Sequence, residues 1–447
     1  MTTTTLDATP QLLLPSSPEW DLVRGTFNVL DDLRPAAISL PENPQQVAAA
    51  IAEARRRALS VVVQATGHNA GPLGAADDAL LINTSRLTGW AIDAAARRVR
   101  VGAATKWEVV TPALSELGLA GLHGSSPDVG IVGYSVGGGI GWLARKHGMQ
   151  TNAVTAFEVV TADGELRRVD HDHEPDLFWA LRGGNGNFGV VTALEFEVFP
   201  VERLYAGALF FPVERTAEVL HTWAELMPSL PEEMTTWVSV FHFPPDPALP
   251  DFARGHSLVA VMAAHLGDER EGRTLLAPFR RLGPEVDTFG MQPMSFLGEL
   301  AMDPADPLPF RSTTALLDEL TPGVIEELAR TTARGSDVAL LQLRHSGGAL
   351  SRPPQGAGAR ATLPGEVVLF ALGVVTDPDV AARVDTVLDH IDRTVAANRV
   401  GRYPNFVERP ALAREFFDDV TWARLLRVKE AYDPEGIFRG NHVIAAR

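Results

Sequence analysis

No cysteine occurs anywhere in the 447 residues. That absence excludes disulfides, thiolate nucleophiles, iron–sulfur clusters and cysteine-ligated zinc together. Basic residues are also in deficit: 39 Lys and Arg against 56 Asp and Glu leave a formal net charge of -17. A surface of that sign repels phosphate backbones and anionic headgroups, which argues against nucleic acid or membrane surfaces as partners and for a small molecule. Long apolar runs are missing as well. The longest, VVLFALGVV at Val367 to Val375, is far short of the roughly 18 residues that a membrane span requires. The opening MTTTTLDATPQLLLPSS has no basic start and only Leu12 to Leu14 as an apolar run, so it does not read as a secretory signal. The expectation is a soluble, cytoplasmic protein. Its length exceeds the usual reach of one core, and 45% of its residues are apolar, so more than one domain is predicted.

Asn43 before Pro44 marks a helix start, with Val47, Ile51 and Ala54 on one face. The helix delivers the chain to Val61, Val62 and Val63, a β-branched run that predicts a buried strand. Directly after it, QATGHNAG sets His68 in a loop of glycine and small residues. Strands are predicted at Leu80 to Asn83 and Arg97 to Val101, and Thr105 with Glu108 has the spacing of a capping box whose helix Gly118 closes. Asp163-Gly164 is a two-residue hairpin signal, and Val190 to Phe199 alternates as a strand ending at Pro200. Beyond Tyr205 the pattern changes to longer strands and helices: YAGALFFPV, a helix to Met227, MTTWVSVFHF, SLVAVMAAHLG and a basic-edged helix to Leu282. Strands at Val338 to Leu343 and Glu366 to Val375 and a helix at Asp379 to Asn398 complete this block, which predicts a second sheet with helices on one face. The loops at Pro304 to Pro309 and Pro353 to Gly358 are expected as surface excursions.

Two glycine clusters invite a ligand. Gly184-Asn-Gly186-Asn-Phe-Gly189 satisfies G-x-G-x-x-G, but a dinucleotide site needs a strand before and a helix after, and here the order is reversed. Gly137, Gly138, Gly139 and Gly141 precede the helix-like WLARKHG, so their amides suit a phosphate or a flat ring; a packing run is the alternative. His171-Asp-His173-Glu lacks a third ligand at a recognisable spacing and reads as a solvated charge cluster, so no metal is expected. Trp107, Trp142 and Trp179 read as core.

Four separated segments then combine: GHNAG around His68, HGSSPDVGIVGYSVGGGIGWLARKHGM from His123 to Met149, DLFWALRGGNGNFGVV from Asp176 to Val191, and YDPEGIFRGNHVI from Tyr432 to Ile444. Together and in this order they resemble the berberine-bridge-enzyme-like flavoprotein oxidoreductases of the vanillyl-alcohol-oxidase superfamily. The resemblance implies an α+β fold: a PCMH-type FAD-binding domain in two parts, 1–203 and 401–447, around an inserted substrate domain, 204–400, of antiparallel sheet covered by helices. It implies FAD held by Thr66, Gly67, His68 and Asn69, by Ser126, Gly130 and Tyr134, by the glycines 137, 138, 139 and 141, by Gly189, Val190 and Val191, and by Asn405 and Asn441. In that family the histidine at the position of His68 is bonded to the flavin 8-methyl carbon, and a neutral imidazole is a competent nucleophile for it. Many members add a second bond from a cysteine before the proline of the second segment. Ser126 stands there, so attachment through His68 alone is implied. Ala70 and Ile140 replace tyrosines that line the substrate side in some sugar and polyketide oxidases, so those substrates are not carried over. Tyr134 replaces a frequent histidine and is expected to hydrogen-bond the flavin pyrimidine.

The resemblance further implies hydride removal from a C–H bond to flavin N5 while a base takes the accompanying proton, with dioxygen reoxidising the flavin to give hydrogen peroxide. Tyr403-Pro-Asn405-Phe resembles the family's Y-x-N segment, which makes Tyr403 the first candidate for the base; with an ordinary pKa of ~10 it needs a cation nearby, for which Arg402 and Arg409 are candidates. In DVALLQLRHSGGALSR, alternation sends either Gln342 and Arg344 or Leu343 and His345 to the flavin. Arg344 would hold an acidic substrate; His345 would be a second base. The substrate expected is a small alcohol, sugar-like molecule or secondary metabolite, oxidised or closed into a ring. A dehydrogenase of the same fold using a non-oxygen acceptor, and a flavin-binding protein without turnover, are the alternatives.

Overall fold

A computed structural model of the chain describes residues 10–445. The reading of the first nine residues as no part of a signal therefore lies outside the described residues. Asn43 has extended backbone and its side chain accepts from the Gln46 N–H, Pro44 is the first helical residue, and the helix Pro44–Arg56 buries Val47, Ala50, Ile51 and Ala54. It packs on a four-stranded sheet in the order Leu12–Leu13, Ala37–Ser39, Ala79–Asn83, Ser60–Gln64, in which the last three are parallel. The tail returns to this sheet: the Val61 N–H donates to the Ile437 carbonyl at 2.7 Å and the Arg439 N–H to the Val61 carbonyl at 2.9 Å. Strand Ser60–Gln64 is thus held on both sides, which fixes the loop that follows it.

A second sheet is fully antiparallel, in the order Trp90–Asp93, Arg98–Gly102, Val190–Glu197, Val154–Val160, Leu166–Asp170. Asp163-Gly164 turns the last pair, with Gly164 at φ +83. The capping box does not form. Thr105 donates its hydroxyl to the Gly89 carbonyl at 3.1 Å, and the helix Trp107–Glu116 is capped instead by backbone: the N–H groups of Trp107 and Glu108 donate to the carbonyls of Val129 and Pro127. Gly118, at φ +67, does close that helix.

The third large sheet is an antiparallel array of nine strands. Its main order is Val286–Asp287, Leu204–Pro212, Ser257–His265, Met234–His242, Leu340–His345, Val367–Val374, Phe310–Leu317, Arg399–Gly401, with Gly290–Gln292 also on Leu204–Pro212. Helices Thr216–Leu226, Pro322–Thr331 and Pro378–Thr394 cover one face and form the largest core with it. The other face packs on the segment carrying Trp142 and Leu143. The helix expected to reach Leu282 is broken into Glu269–Leu275 and Ala277–Arg281, because Pro278 cannot continue the hydrogen-bond ladder. The loop from Pro304 is only partly a surface excursion: residues 304–307 are exposed, but Asp303, Pro304 and Leu308 line a cavity. Among the described residues no helix is long and apolar enough to cross a membrane.

Candidate active site

The loop after Ser60–Gln64, the segment 124–134, the face of the nine-stranded sheet and the turn Pro404–Phe406 enclose a cavity of about 300 Å³, within the range of small-molecule pockets. Thr66, Gly67, His68, Asn69, Ser126, Gly130, Tyr134, Arg344, Tyr403, Asn405 and Asn441 from the sequence reading all reach its wall. Gly67, at φ +75, permits the turn that presents His68. The imidazole stacks on Phe27 with centroids 4.2 Å apart, its Nδ1 is 2.8 Å from Thr66 Oγ1, and its Nε2 is 3.1 Å from Asp128 Oδ2. Burial works against a charge on Asp128, but its contact with His68 and the 2.6 Å hydrogen bond donated by Ser126 Oγ hold the carboxyl below its usual range.

Gly137, Gly138, Gly139 and Gly141 stand behind the wall rather than on it. A Cβ on Gly137 would lie 1.8 Å from Asn405 Oδ1, one on Gly139 2.5 Å from the Tyr134 ring, and one on Gly141 1.8 Å from the His123 carbonyl. Side chains and the His123 backbone thus close directly on the string, the contact that the packing alternative expects. Beside the cavity, the Gly139 N–H donates to the Tyr403 hydroxyl at 2.6 Å. Asn405 Nδ2 donates to the same oxygen at 3.1 Å. Gly189, Val190 and Val191 also lie off this cavity, in the start of a strand where a Gly189 Cβ would meet the Val160 carbonyl at 2.7 Å. The glycine fingerprint has helix Pro175–Leu181 before it and strand Val190–Glu197 after, the reverse of a dinucleotide site.

Strand parity is now settled. Gln342 and Arg344 face the cavity; His345 faces the helices, its Nε2 2.7 Å from Arg145 Nη1. His345 is therefore corrected from second base to buried packing group, and burial with the adjacent Arg145 charge pushes its pKa down to about 3. Arg344 is 6% exposed and lies between the rings of Trp237 and Phe406, at 4.1 and 4.7 Å, with Nε donating to Gln342 Oε1 at 2.6 Å. Tyr134 likewise departs from expectation, since its hydroxyl donates to the Leu122 carbonyl at 2.9 Å. The cations beside Tyr403 are Arg344 and Arg360; Arg409 instead pairs with Asp385 at 3.0 Å. Burial drives the Tyr403 phenol up to about 12, against the pull of the Gly139 N–H and the two guanidiniums.

Sequence reasoning missed Asp303, Arg360, Asp128 and the facing carboxylates Asp31 and Glu408. Asp303 sits against Ser125 and Arg344, and burial raises its pKa. Arg360 is buried with Nε and Nη2 lacking partners among the described residues, under the ring of Phe417 at 5.0 Å. Burial raises Glu408 to about 8 and Asp31 to about 6. None has a local sequence signature; each is brought in by tertiary packing. Two buried acceptors on the wall, Gln64 Oε1 and Asn69 Oδ1, also lack partners among the described residues. Such orphans suit a large flat ligand rich in N–H and O–H donors, as FAD is.

Residues 35–170 match the model of the FAD binding domain. The chain is 25% identical to (R)-6-hydroxynicotine oxidase of Paenarthrobacter nicotinovorans, over 99% of this chain and 98% of that one. It is 26% identical to xylooligosaccharide oxidase of Thermothelomyces thermophilus, over 95% and 90% respectively. Among solved structures, Physcomitrella patens BBE-like 1 has the same fold, with a TM-score of 0.85 at 18% identity over 98% of this chain and 97% of that one.

Proposed function

From the premise that the chain is an FAD-linked oxidoreductase of the berberine-bridge-enzyme-like, PCMH-type fold, we propose that it oxidises a small alcohol, sugar-like or secondary-metabolite substrate with dioxygen as acceptor, giving hydrogen peroxide. FAD, when bound, supplies the hydride acceptor at N5. In this reading Thr66, Gly67, Asn69, Gly130 and Asn441 hold it, and His68 bonds its 8-methyl carbon. No second bond forms, because Ser126 replaces the cysteine and a hydroxyl is a far weaker nucleophile.

Tyr403 takes the substrate proton. The observation that carries this is its environment: a tyrosine 1% exposed, on the cavity wall, its oxygen accepting two N–H bonds with two buried guanidiniums close by. Donors and cations favour the phenolate, the form that accepts a proton. Arg344 faces the same space and orients an electron-rich substrate group. The wall contributed by Phe27, Phe310, Phe370, Phe406, Leu340 and Leu372 favours a flat apolar body with one polar group over a chain of sugars. This lining supports a substrate nearer in kind to 6-hydroxynicotine than to a xylooligosaccharide.

Two measurements test the reading. A panel of cyclic amines, aromatic alcohols and sugars is screened for peroxide, with anaerobic bleaching of the flavin as the second readout; bleaching without peroxide on reoxygenation removes dioxygen as acceptor. Yellow colour and in-gel fluorescence are then followed through acid precipitation, where the wild type retains both and His68→Ala loses both.

A further inference from the structure

We propose that Asp128, braced by Ser126, fixes the tautomer of His68 and takes its Nε2 proton as the flavin bond forms at Nδ1. The inference rests on the covalent attachment proposed above and deepens it by assigning the residue that makes the imidazole a directed nucleophile.

A neutral imidazole has one N–H and one lone pair, and only the nitrogen with the lone pair attacks carbon. Asp128 Oδ2 is 3.1 Å from Nε2, near enough that a small ring rotation aligns a hydrogen bond. An ionised carboxylate is acceptor only, so Nε2 facing it carries the hydrogen and the lone pair falls on Nδ1. Thr66 Oγ1, 2.8 Å from Nδ1, donates to that lone pair in the resting site and swings off by rotation about a single bond. The stack on Phe27, with ring planes 16° apart, holds the plane of the imidazole, and the two unlike partners, Asp128 at Nε2 and Thr66 at Nδ1, favour this orientation within that plane. Ser126 Oγ donates to the other Asp128 oxygen at 2.6 Å, so the serine that stands in place of a second flavin-linking cysteine orients the carboxylate. Ordering of a ring by a carboxylate bonded to its far nitrogen is the same device that orients histidine ligands on metals.

The step balances. The Nδ1–C bond forms at the 8-methyl carbon, which gives up a proton, and the imidazole gives up its Nε2 proton to Asp128. Two electrons enter the isoalloxazine, which takes up two protons; dioxygen then removes two electrons and two protons as hydrogen peroxide. Asp128 is a positioning residue and proton acceptor for this single event, with no part in turnover.

The full chain is produced with FAD as wild type, Asp128→Asn, Ser126→Ala and His68→Ala. Native flavin content is read from absorbance, covalent content from in-gel fluorescence after acid precipitation, and the bonding nitrogen from NMR of the flavin peptide of the wild type. The expected result is that Asp128→Asn keeps native flavin while its covalent fraction falls by ~10-fold or more. Ser126→Ala falls less, His68→Ala is blank, and the wild-type bond is at Nδ1. Wild-type levels of attachment in Asp128→Asn, with His68→Ala blank, would overturn the role of Asp128 alone. Colour released by acid from the wild type would overturn the attachment itself. A bond at Nε2 would overturn the tautomer assignment even if Asp128→Asn failed to fold.

Discussion

At the scale of single residues, the proposed chemistry turns on how one phenol is held. Tyr403 receives two N–H bonds at its oxygen and lies beside Arg344 and Arg360, yet burial outweighs them and leaves its pKa up at about 12. A base with so high a pKa is mostly protonated at neutral pH, so activity gains as the phenolate fraction rises. The expected profile of kcat/KM is therefore an increase with pH through the alkaline range. Tyr403→Phe lowers kcat/KM by roughly 10²- to 10⁴-fold at fixed pH and abolishes that rise, with flavin content unchanged. Arg360→Met, which removes a cation favouring the phenolate, displaces the limb to higher pH. A flat profile in the wild type would remove Tyr403 from the role of base.

At the scale of elements, the strand Leu340–His345 gives one face to the cavity and the other to the core. Arg344 and Gln342 enter the cavity, while Leu343 and His345 enter the core under the helices. Substitutions on the two faces then separate activity from stability. Arg344→Met raises KM or lowers kcat for the substrate with little change in denaturation midpoint, since a methionine still fills the gap between Trp237 and Phe406. His345→Ala leaves steady-state constants unchanged but costs on the order of 1–3 kcal/mol, because Arg145 loses a buried partner. Urea unfolding of both variants, beside their kinetics, checks the division.

The same strand shows what a sequence of this kind discloses. Asn43-Pro44 and Asp163-Gly164 were legible because capping and turn chemistry are local. The parity of Leu340–His345 was not, since both faces of the strand are covered and alternation carries no inside-outside signal. The Thr105 capping box failed because carbonyls of Val129 and Pro127, distant in sequence, took the helix donors first. Strand Phe310–Leu317 went unread because Arg311, Ser312 and Thr313 near its start are polar and half-buried in succession. The site divides likewise: the glycine-flanked loop of His68 announces itself, whereas Asp128, Asp303 and Arg360 acquire meaning only through neighbours that the fold supplies.

At the scale of the whole molecule, three distant parts of the chain meet beside the cavity: Asp31 from the N-terminal segment, Glu408 from the returning C-terminal segment, and Ser312 from the nine-stranded sheet. Ser312 Oγ donates to Glu408 Oε2 at 2.9 Å, and burial, with the Asp31 charge added, raises Glu408 from its ordinary 4.5 to about 8. Asp31 is raised by burial from 3.8 to about 6, despite a backbone hydrogen bond at Gly71. A carboxyl with a folded pKa above its unfolded one binds more protons folded than unfolded between the two values. Stability from this pair is therefore fully present below about pH 4 and is lost as pH rises through about 6 and then about 8. Other carboxylates held low by arginine, such as Glu53 at about 2, act in the opposite sense at lower pH. The pair is isolated by comparison with Glu408→Gln, which keeps the Ser312 hydrogen bond and cannot ionise. Thermal midpoints of the two proteins should lie closest near about pH 5, and the variant should gain steadily on the wild type toward about pH 9. A constant difference across that range would mean that Glu408 is solvated in the working protein and that the junction of the three segments is open.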